Sequence, residues 1–160
     1  MSETAKPHLV RNSTLGAELY EEEARTLAGI MGVRRLRDNE LLISEGGAES
    51  TLFVLAEGKL AVISNTDDKE VVVYTMTEGE CAGTRAFVDR TPRKATLRAV
   101  GDATVYTLTP DAFETLLDSH PRIVYKVMRA LFRVTHTNLM RMNQESQELA
   151  KYITKTGGRY

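Results

Sequence analysis

The stretch that decides the reading of this chain is Ala82-Gly83-Thr84-Arg85-Ala86-Phe87, followed after Val88-Asp89-Arg90-Thr91 by Pro92-Arg93-Lys94-Ala95-Thr96. It interrupts a region otherwise written as short apolar strands. Gly83 lets a backbone approach a ligand closely, and a short helical turn over Thr84 to Val88 would present free N–H groups at its start. Pro92 fixes the path of the chain into Arg93, whose forked donors match two phosphate oxygens at once. Arg85, Arg90, Lys94 and Arg98 add positive charge nearby. On the residues alone two readings stand side by side, an anion site and a solvated basic edge between strands.

The flanks of this stretch are β-rich. Upstream, Leu52-Phe53-Val54-Leu55-Ala56 and Leu60-Ala61-Val62-Ile63 are separated by Glu57-Gly58-Lys59, and Val71 to Met76 follows the polar turn Asn65-Thr66-Asp67-Asp68-Lys69. Apolar runs of this length bounded by turn residues predict an antiparallel meander. Downstream, Ala95 to Val100 and Thr104 to Thr109 flank Gly101-Asp102, which reads as a hairpin turn. Further short strands are expected around Val33 to Ile43, broken at Asp38-Asn39 and Gly46-Gly47. Regular short strands of this kind predict a barrel or sandwich.

Helices are expected at both ends. Residues 1–14 are polar and aperiodic and read as a flexible N-terminal arm. Leu15, Leu19, Ala24, Leu27, Ala28, Ile30 and Met31 recur at three-and-four spacing and predict an amphipathic helix ending near Gly32. Thr109-Pro110-Asp111 is a helix start, with Thr109 as cap and Phe113, Leu116 and Leu117 turned inward. From Pro121 a second helix is expected to run to about residue 153, roughly 45 Å at 1.5 Å per residue. Val124, Met128, Leu131, Thr135, Asn138, Met142, Glu145, Leu149 and Tyr152 follow the alternation of a two-stranded coiled coil, which predicts a homodimer along this helix. The competing reading has Ile123, Val127, Leu131 and Phe132 capping the barrel of their own subunit.

The quoted stretch resembles the phosphate-binding cassette of cyclic nucleotide-binding domains, which reads Phe-Gly-Glu-Leu-Ala-Leu, then several residues, then Pro-Arg-Ala-Ala-Thr. The resemblance extends over most of the chain, 15–156, leaving a tail at 157–160. It implies a mainly β domain: an antiparallel eight-stranded β-roll or jelly roll, cupin-like, with an N-terminal helix and two C-terminal helices, the last one long. It further implies that Arg93 pairs with a cyclic phosphate, that Gly83 and the amides around Ala86 and Phe87 cradle it, and that Thr96 lies beside the base or phosphate. By the same resemblance the long helix covers the pocket and relays its occupancy to a dimer interface. Two departures stand out. Thr84 replaces the family glutamate that accepts the ribose hydroxyl, an exchange of a charged for a neutral acceptor that forgoes about tenfold in affinity. Arg85 replaces an apolar residue and Lys94 a small one, which favours a more negatively charged ligand such as a cyclic dinucleotide.

Composition narrows the remaining functions. The 160 residues carry 21 basic and 22 acidic side chains, so no whole-molecule field draws in nucleic acid or an anionic membrane. A start without an apolar signal core and the single cysteine, Cys81, lead to an expectation of cytoplasmic residence. One cysteine cannot ligate an iron–sulfur cluster, and His8, His120 and His136 are too scattered for a metal site. No cofactor is therefore expected, and no direct DNA contact, because no helix-turn-helix follows the long helix. The barrel strands supply few paired acid–base candidates beyond Glu57, Glu70 and Glu80, so no catalytic residue is assigned. The expected function is a non-catalytic sensor that binds a cyclic nucleotide at Gly83, Thr84, Arg85, Ala86, Phe87, Arg93, Lys94 and Thr96 and signals to an effector protein through its last helix. The alternative is a degenerate domain that binds no nucleotide and serves as a dimeric interaction module.

Overall fold

The computed structural model describes residues 3–157, with the side chains of Met142 and of 152–157 outside that description. The chain enters through α1 (Pro7–Arg11) and α2 (Glu21–Ile30) and passes into β1 (Gly32–Leu36) and β2 (Leu41–Ile43). The long β3 (Leu52–Thr66) turns at Asp67-Asp68 into β4 (Lys69–Met76), and β5 (Cys81–Ala82) leads to α3 (Thr84–Asp89). Then come β6 (Thr96–Leu108), α4 (Pro110–Glu114), α5 (Leu116–Ser119) and α6 (Pro121–Gly157). The sheet is antiparallel, in the order β1-β6-β3-β4, with β2 also paired to β6 and β5 also paired to β3.

Six strands are present among the described residues where eight were expected, and the reason lies in two bulges. Glu57-Gly58-Lys59 does not reverse the chain; β3 runs through it, with register shifts on both sides of Glu57. Gly101-Asp102 likewise lies inside β6 and is no hairpin turn. Gly58 sits at φ 92°, and a β-carbon there would come within 2.5 Å of Asp102 O and 2.9 Å of Ala103 Cα. Two bulged strands thus cross in close contact and bend together, each doing the work of two. The mainly antiparallel β architecture with flanking helices is as read from the sequence; the strands among the described residues number six and not eight.

Strand alternation divides the core in two. Along β3, Leu52, Val54 and Ala56 face the helices, while Phe53, Leu55 and Leu60 face the interior of the roll. Along β6, Tyr106 and Leu108 take the first side and Leu97, Ala99, Ala103 and Val105 the second. A strand buried on both faces reads as a continuous apolar run, which is how Leu52 to Ala56 reads.

The N-terminal reading needs correction. Residues 3–14 are not a loose arm: α1 packs Val10 fully into the helical cluster, and Ala5 is buried beside it. Leu15 and Leu19 are buried too, but in turns that precede α2, because the helix begins only at Glu21, where the Glu23 carboxylate accepts the Tyr20 N–H at 2.8 Å. At the other end Thr109 Oγ1 accepts the Ala112 N–H at 3.2 Å, capping α4 as predicted. α6 extends past residue 153 to Gly157; the rest of the expected tail, 158–160, lies outside the described residues.

The first turns of α6 settle onto the subunit's own core through Ile123, Val127, Ala130 and Leu131, so Leu131 is core and no seam residue. Phe132, expected to help cap the barrel, is 72% exposed. Tyr125, Met128, Leu139, Met140 and Leu149 are also exposed. Two ion-pair groups fasten the same helix to the N-terminal segment: Lys126 Nζ to Glu23 at 2.6 Å, and Arg129 and Arg133 to Glu18 at 3.4 and 2.7 Å.

Candidate functional site

Arg93 is the centre of the candidate site. It is only 4% exposed, the one arginine among the described residues in the buried class. Its backbone is clamped to the loop between β2 and β3: Arg93 N–H donates to Gly47 O at 2.9 Å, and Gly46 N–H donates to Arg93 O at 2.8 Å. Its guanidinium is turned inward. Nη2 donates to Thr51 O at 2.6 Å and Nη1 to Gly83 O at 3.5 Å, while the group lies 5.4 Å from the centre of the Phe53 ring. Nε is buried without a hydrogen-bond partner among the described residues. Desolvation lowers the pKa of this guanidinium, and the field of Glu49 opposes that shift. A buried cation with an unspent donor is unfavourable by itself and becomes favourable when an anion reaches it.

The cassette is built around this side chain. Gly83 stands at φ 84°, in the left-handed region, and a β-carbon there would lie 2.4 Å from Arg93 Nη1. No side chain other than hydrogen fits both the backbone angle and the approach. α3 begins at the next residue and turns Ala86 and Phe87 into the protein, with the Phe87 ring 5.5 Å from that of Phe113 in α4. These two site candidates are packing residues whose side chains position α3. Thr84 is half-buried at the start of α3. Thr96 is buried, and its hydroxyl accepts the Glu45 N–H at 2.9 Å, so it pins the β2–β3 loop. Arg85 and Lys94 are both exposed and do not line the cleft beside Arg93.

That cleft has a volume of about 210 Å³ and is lined by Leu42, Ile43, Ser44, Gly47, Glu49 and Arg93, among others. The loop residues in it were not singled out from the sequence. The signal was present in Gly46-Gly47-Ala48-Glu49, a glycine pair followed by an acid, but nothing local couples it to an arginine more than forty residues later. Among the described residues no group of acidic, histidine or cysteine side chains forms a metal site.

The sequence model of the cyclic nucleotide-binding domain matches residues 33–120, more than half of the chain. The chain belongs to the cyclic nucleotide-binding domain family. It is 28% identical over 108 residues to a cGMP-dependent protein kinase of Plasmodium berghei, covering 68% of this chain and 12% of that protein. It is 30% identical over 100 residues to the cAMP-dependent protein kinase type II regulatory subunit of Drosophila melanogaster, covering 62% of this chain and 26% of that protein. A cyclic nucleotide-binding domain from Methylobacillus flagellatus superposes with a TM-score of 0.82 at 18% identity, over 91% of this chain and 86% of that one. The chain therefore spans a minor part of these curated relatives, one of which is a regulatory subunit, and most of a bacterial domain of the same fold. No helix among the described residues is long and apolar enough to cross a membrane.

Proposed function

We propose that this cyclic nucleotide-binding domain is a sensor for a cyclic mononucleotide, whose phosphate is taken by Arg93 and the backbone of Gly83 to Phe87 and whose occupancy is passed to a partner through α6. The observation that carries the reading is the desolvated Arg93 guanidinium with its free Nε at the edge of the cleft. Family membership and the names of the kinase relatives support it. A mononucleotide fits better than a dinucleotide because Arg85 and Lys94 point to solvent and add no second cation to the cleft. The ring contact between Phe87 and Phe113 offers the route outward, since it joins the cradle helix to the segment that leads into α6. For occupancy to be transmitted, ligand must bind one placement of α6 better than another.

A second reading keeps one observation on its side. Arg93 already donates to Thr51 O and Gly83 O, and a cleft of about 210 Å³ is below the ~300–1,000 Å³ of ordinary small-molecule pockets. A domain that binds no nucleotide, and works as a dimeric interaction module through α6, fits that arrangement. In either case a second copy is the partner we assign to the exposed α6 stripe, as homodimer.

Calorimetric titration and thermal unfolding with cAMP, cGMP, cyclic di-GMP and cyclic di-AMP separate the two. A mononucleotide at 100 times its Kd stabilises the fold by about 2.7 kcal/mol, and Arg93→Ala abolishes the effect while leaving the fold intact. No shift with any of the four assigns the interaction module; a shift that survives Arg93→Ala removes Arg93 from the site.

A further inference from the structure

Arg122, Lys126, Arg129 and Arg133 recur along α6 at steps of four, three and four residues, which puts them on one face of the helix. At about 100° per residue, that face lies roughly a third of a turn from the core face of Ile123, Val127 and Ala130, and as far again from the exposed apolar stripe of Phe132 and Leu139. Packing on the core and pairing along the stripe therefore both leave it accessible. The acids that meet it are too few. Lys126 Nζ holds Glu23 at 2.6 Å, and Arg129 and Arg133 share the single Glu18 carboxylate at 3.4 and 2.7 Å. Arg122 is exposed and belongs to no ion pair among the described residues. Four cations thus face two carboxylates, in a chain whose net charge is -1. The excess borders a hollow of about 410 Å³ walled by Glu18, Pro121, Arg122, Tyr125, Lys126 and Arg129, nearly twice the volume of the cleft at Arg93 and inside the ordinary range of ligand pockets. Tyr125 is 63% exposed and lies with its ring centre 5.7 Å from the Arg129 guanidinium, so an apolar wall stands beside the charges.

We propose that this face of α6 docks an acidic, extended segment of the effector protein, with its carboxylates laid along Arg122, Arg129 and Arg133. The proposal rests on the sensor reading above for its purpose, naming the kind of partner that α6 engages, and on the basic face alone for the contact. Spacing selects an extended chain. Four residues of helix advance about 6 Å, and alternate side chains of a strand lie about 6.6 Å apart, so every second residue of the segment meets a cation. Carboxylate is the anion that this face already accommodates, since Glu18 and Glu23 supply it from within the chain. A nucleic acid is disfavoured by the exposed Glu21 and Glu22, next to the Glu23 that Lys126 holds, and by the lack of a net positive field. Charges arranged in this way orient a partner and are screened by salt.

The test is fluorescence anisotropy of a labelled peptide, Glu-Ser-Glu-Ser-Glu-Ser-Glu, titrated with the whole chain at low and at physiological ionic strength. Wild type is expected to bind at low salt and to weaken as salt rises. Arg122→Glu, a reversal at an exposed and unpaired position that leaves the fold intact, is expected to lower the affinity roughly tenfold. Arg37→Glu makes the same change of net charge at an exposed arginine after β1 and is expected to leave binding as it was. No binding by wild type at low salt, equal losses from the two variants, or tighter binding of a single-stranded oligodeoxynucleotide of the same net charge than of the peptide each overturns the docking face. Nucleotide titration of the same samples decides the sensor reading separately, because neither arginine lines the cleft at Arg93.

Discussion

Arg93 and Gly83 occupy one another's space: the arginine Nη1 lies 3.5 Å from the glycine carbonyl oxygen and 2.4 Å from where a β-carbon would be. The cassette is therefore a backbone turn closed over a buried cation, and the missing side chain is what allows both to be there. Gly83→Ala places a methyl group in that gap at φ 84°. A left-handed residue with a β-carbon costs about 1–2 kcal/mol, and the clash with Nη1 adds to it unless the guanidinium moves. The expected outcome is a loss of about 2 kcal/mol in urea denaturation, accompanied by loss of nucleotide binding.

Arg93 behaves differently. Its charge is buried and its pKa lowered by desolvation, so removing it does not sacrifice a strong interaction in the free protein. Arg93→Met keeps the stem that packs at the cleft and deletes the buried cation. Unfolding stability without ligand is expected to stay within about 1 kcal/mol of wild type or rise, while stabilisation by nucleotide disappears. A large loss of stability in the free protein would mean instead that the donations to Thr51 O and Gly83 O hold the fold together.

Why the cassette was legible from the sequence, and the surrounding cleft less so, has a physical basis. Gly83 and Arg93 belong to one continuous segment, so the resemblance to the family cassette could be read along the chain, although the residues alone left an anion site and a solvated basic edge side by side. The cleft wall comes from Gly47 to Glu49, brought to Arg93 by long-range hydrogen bonds that leave no local periodicity. The strand count failed for a related reason: a glycine flanked by polar residues marks a hairpin turn and a bulge alike, and only the crossing of Gly58 with Asp102 decides between them. Val10 escaped because α1 is only five residues long and shows no repeat, and Leu15 and Leu19, read as the start of a helix, are buried instead in the turns that precede it.

Cys81 supplies a pH test. Burial pushes its thiol up to about 11 from an ordinary 9.0, against hydrogen bonds from Thr14 and the Leu15 backbone that pull it down. A raised folded pKa means that the native state holds the proton more tightly than the unfolded chain. The associated stability is fully present below pH 9 and is lost as pH rises toward 11. Urea midpoints measured between pH 8 and 11 should decline, and Cys81→Ser should flatten the decline. The same protonation makes the native thiol slow to react with a disulfide reagent at pH 8 and fast in urea.

Lys126 joins α6 to α2 through Glu23 at 2.6 Å, with both side chains largely buried, and its Nζ also lies 3.8 Å from the Tyr20 ring centre. Desolvation opposes ionisation of Glu23, yet its pKa is lowered because Lys126 and the Tyr20 N–H hold the carboxylate. Lys126→Met leaves Glu23 half-shielded without its cation and is expected to cost about 1–2 kcal/mol, more than an exposed pair would. If α6 relays occupancy, the same variant should also shift nucleotide affinity, because it loosens the end of the helix nearest the roll.

The register of the α6 stripe can be tested one residue apart. Leu131 is 2% exposed and sits in the subunit's own core, whereas Phe132 is 72% exposed and stacks on His136 with ring centroids 6.2 Å apart. Tyr125, Phe132 and Leu139 recur every seven residues, and Met128, Thr135 and Leu149 share the complementary positions, so the homodimer seam we propose for α6 falls one residue along from Val124, Leu131 and Asn138. A seam built on Leu131 would have to pull that side chain out of its own core. Leu131→Ala is therefore expected to lower unfolding stability by about 2–5 kcal/mol, as large-to-small changes in a core do. Phe132→Glu leaves the core untouched and should convert a dimer to a monomer in light scattering, with the thermal midpoint of the isolated subunit little changed. The opposite pairing of results, a stable monomer from Leu131→Ala and an unfolded chain from Phe132→Glu, would restore the seam read from the sequence.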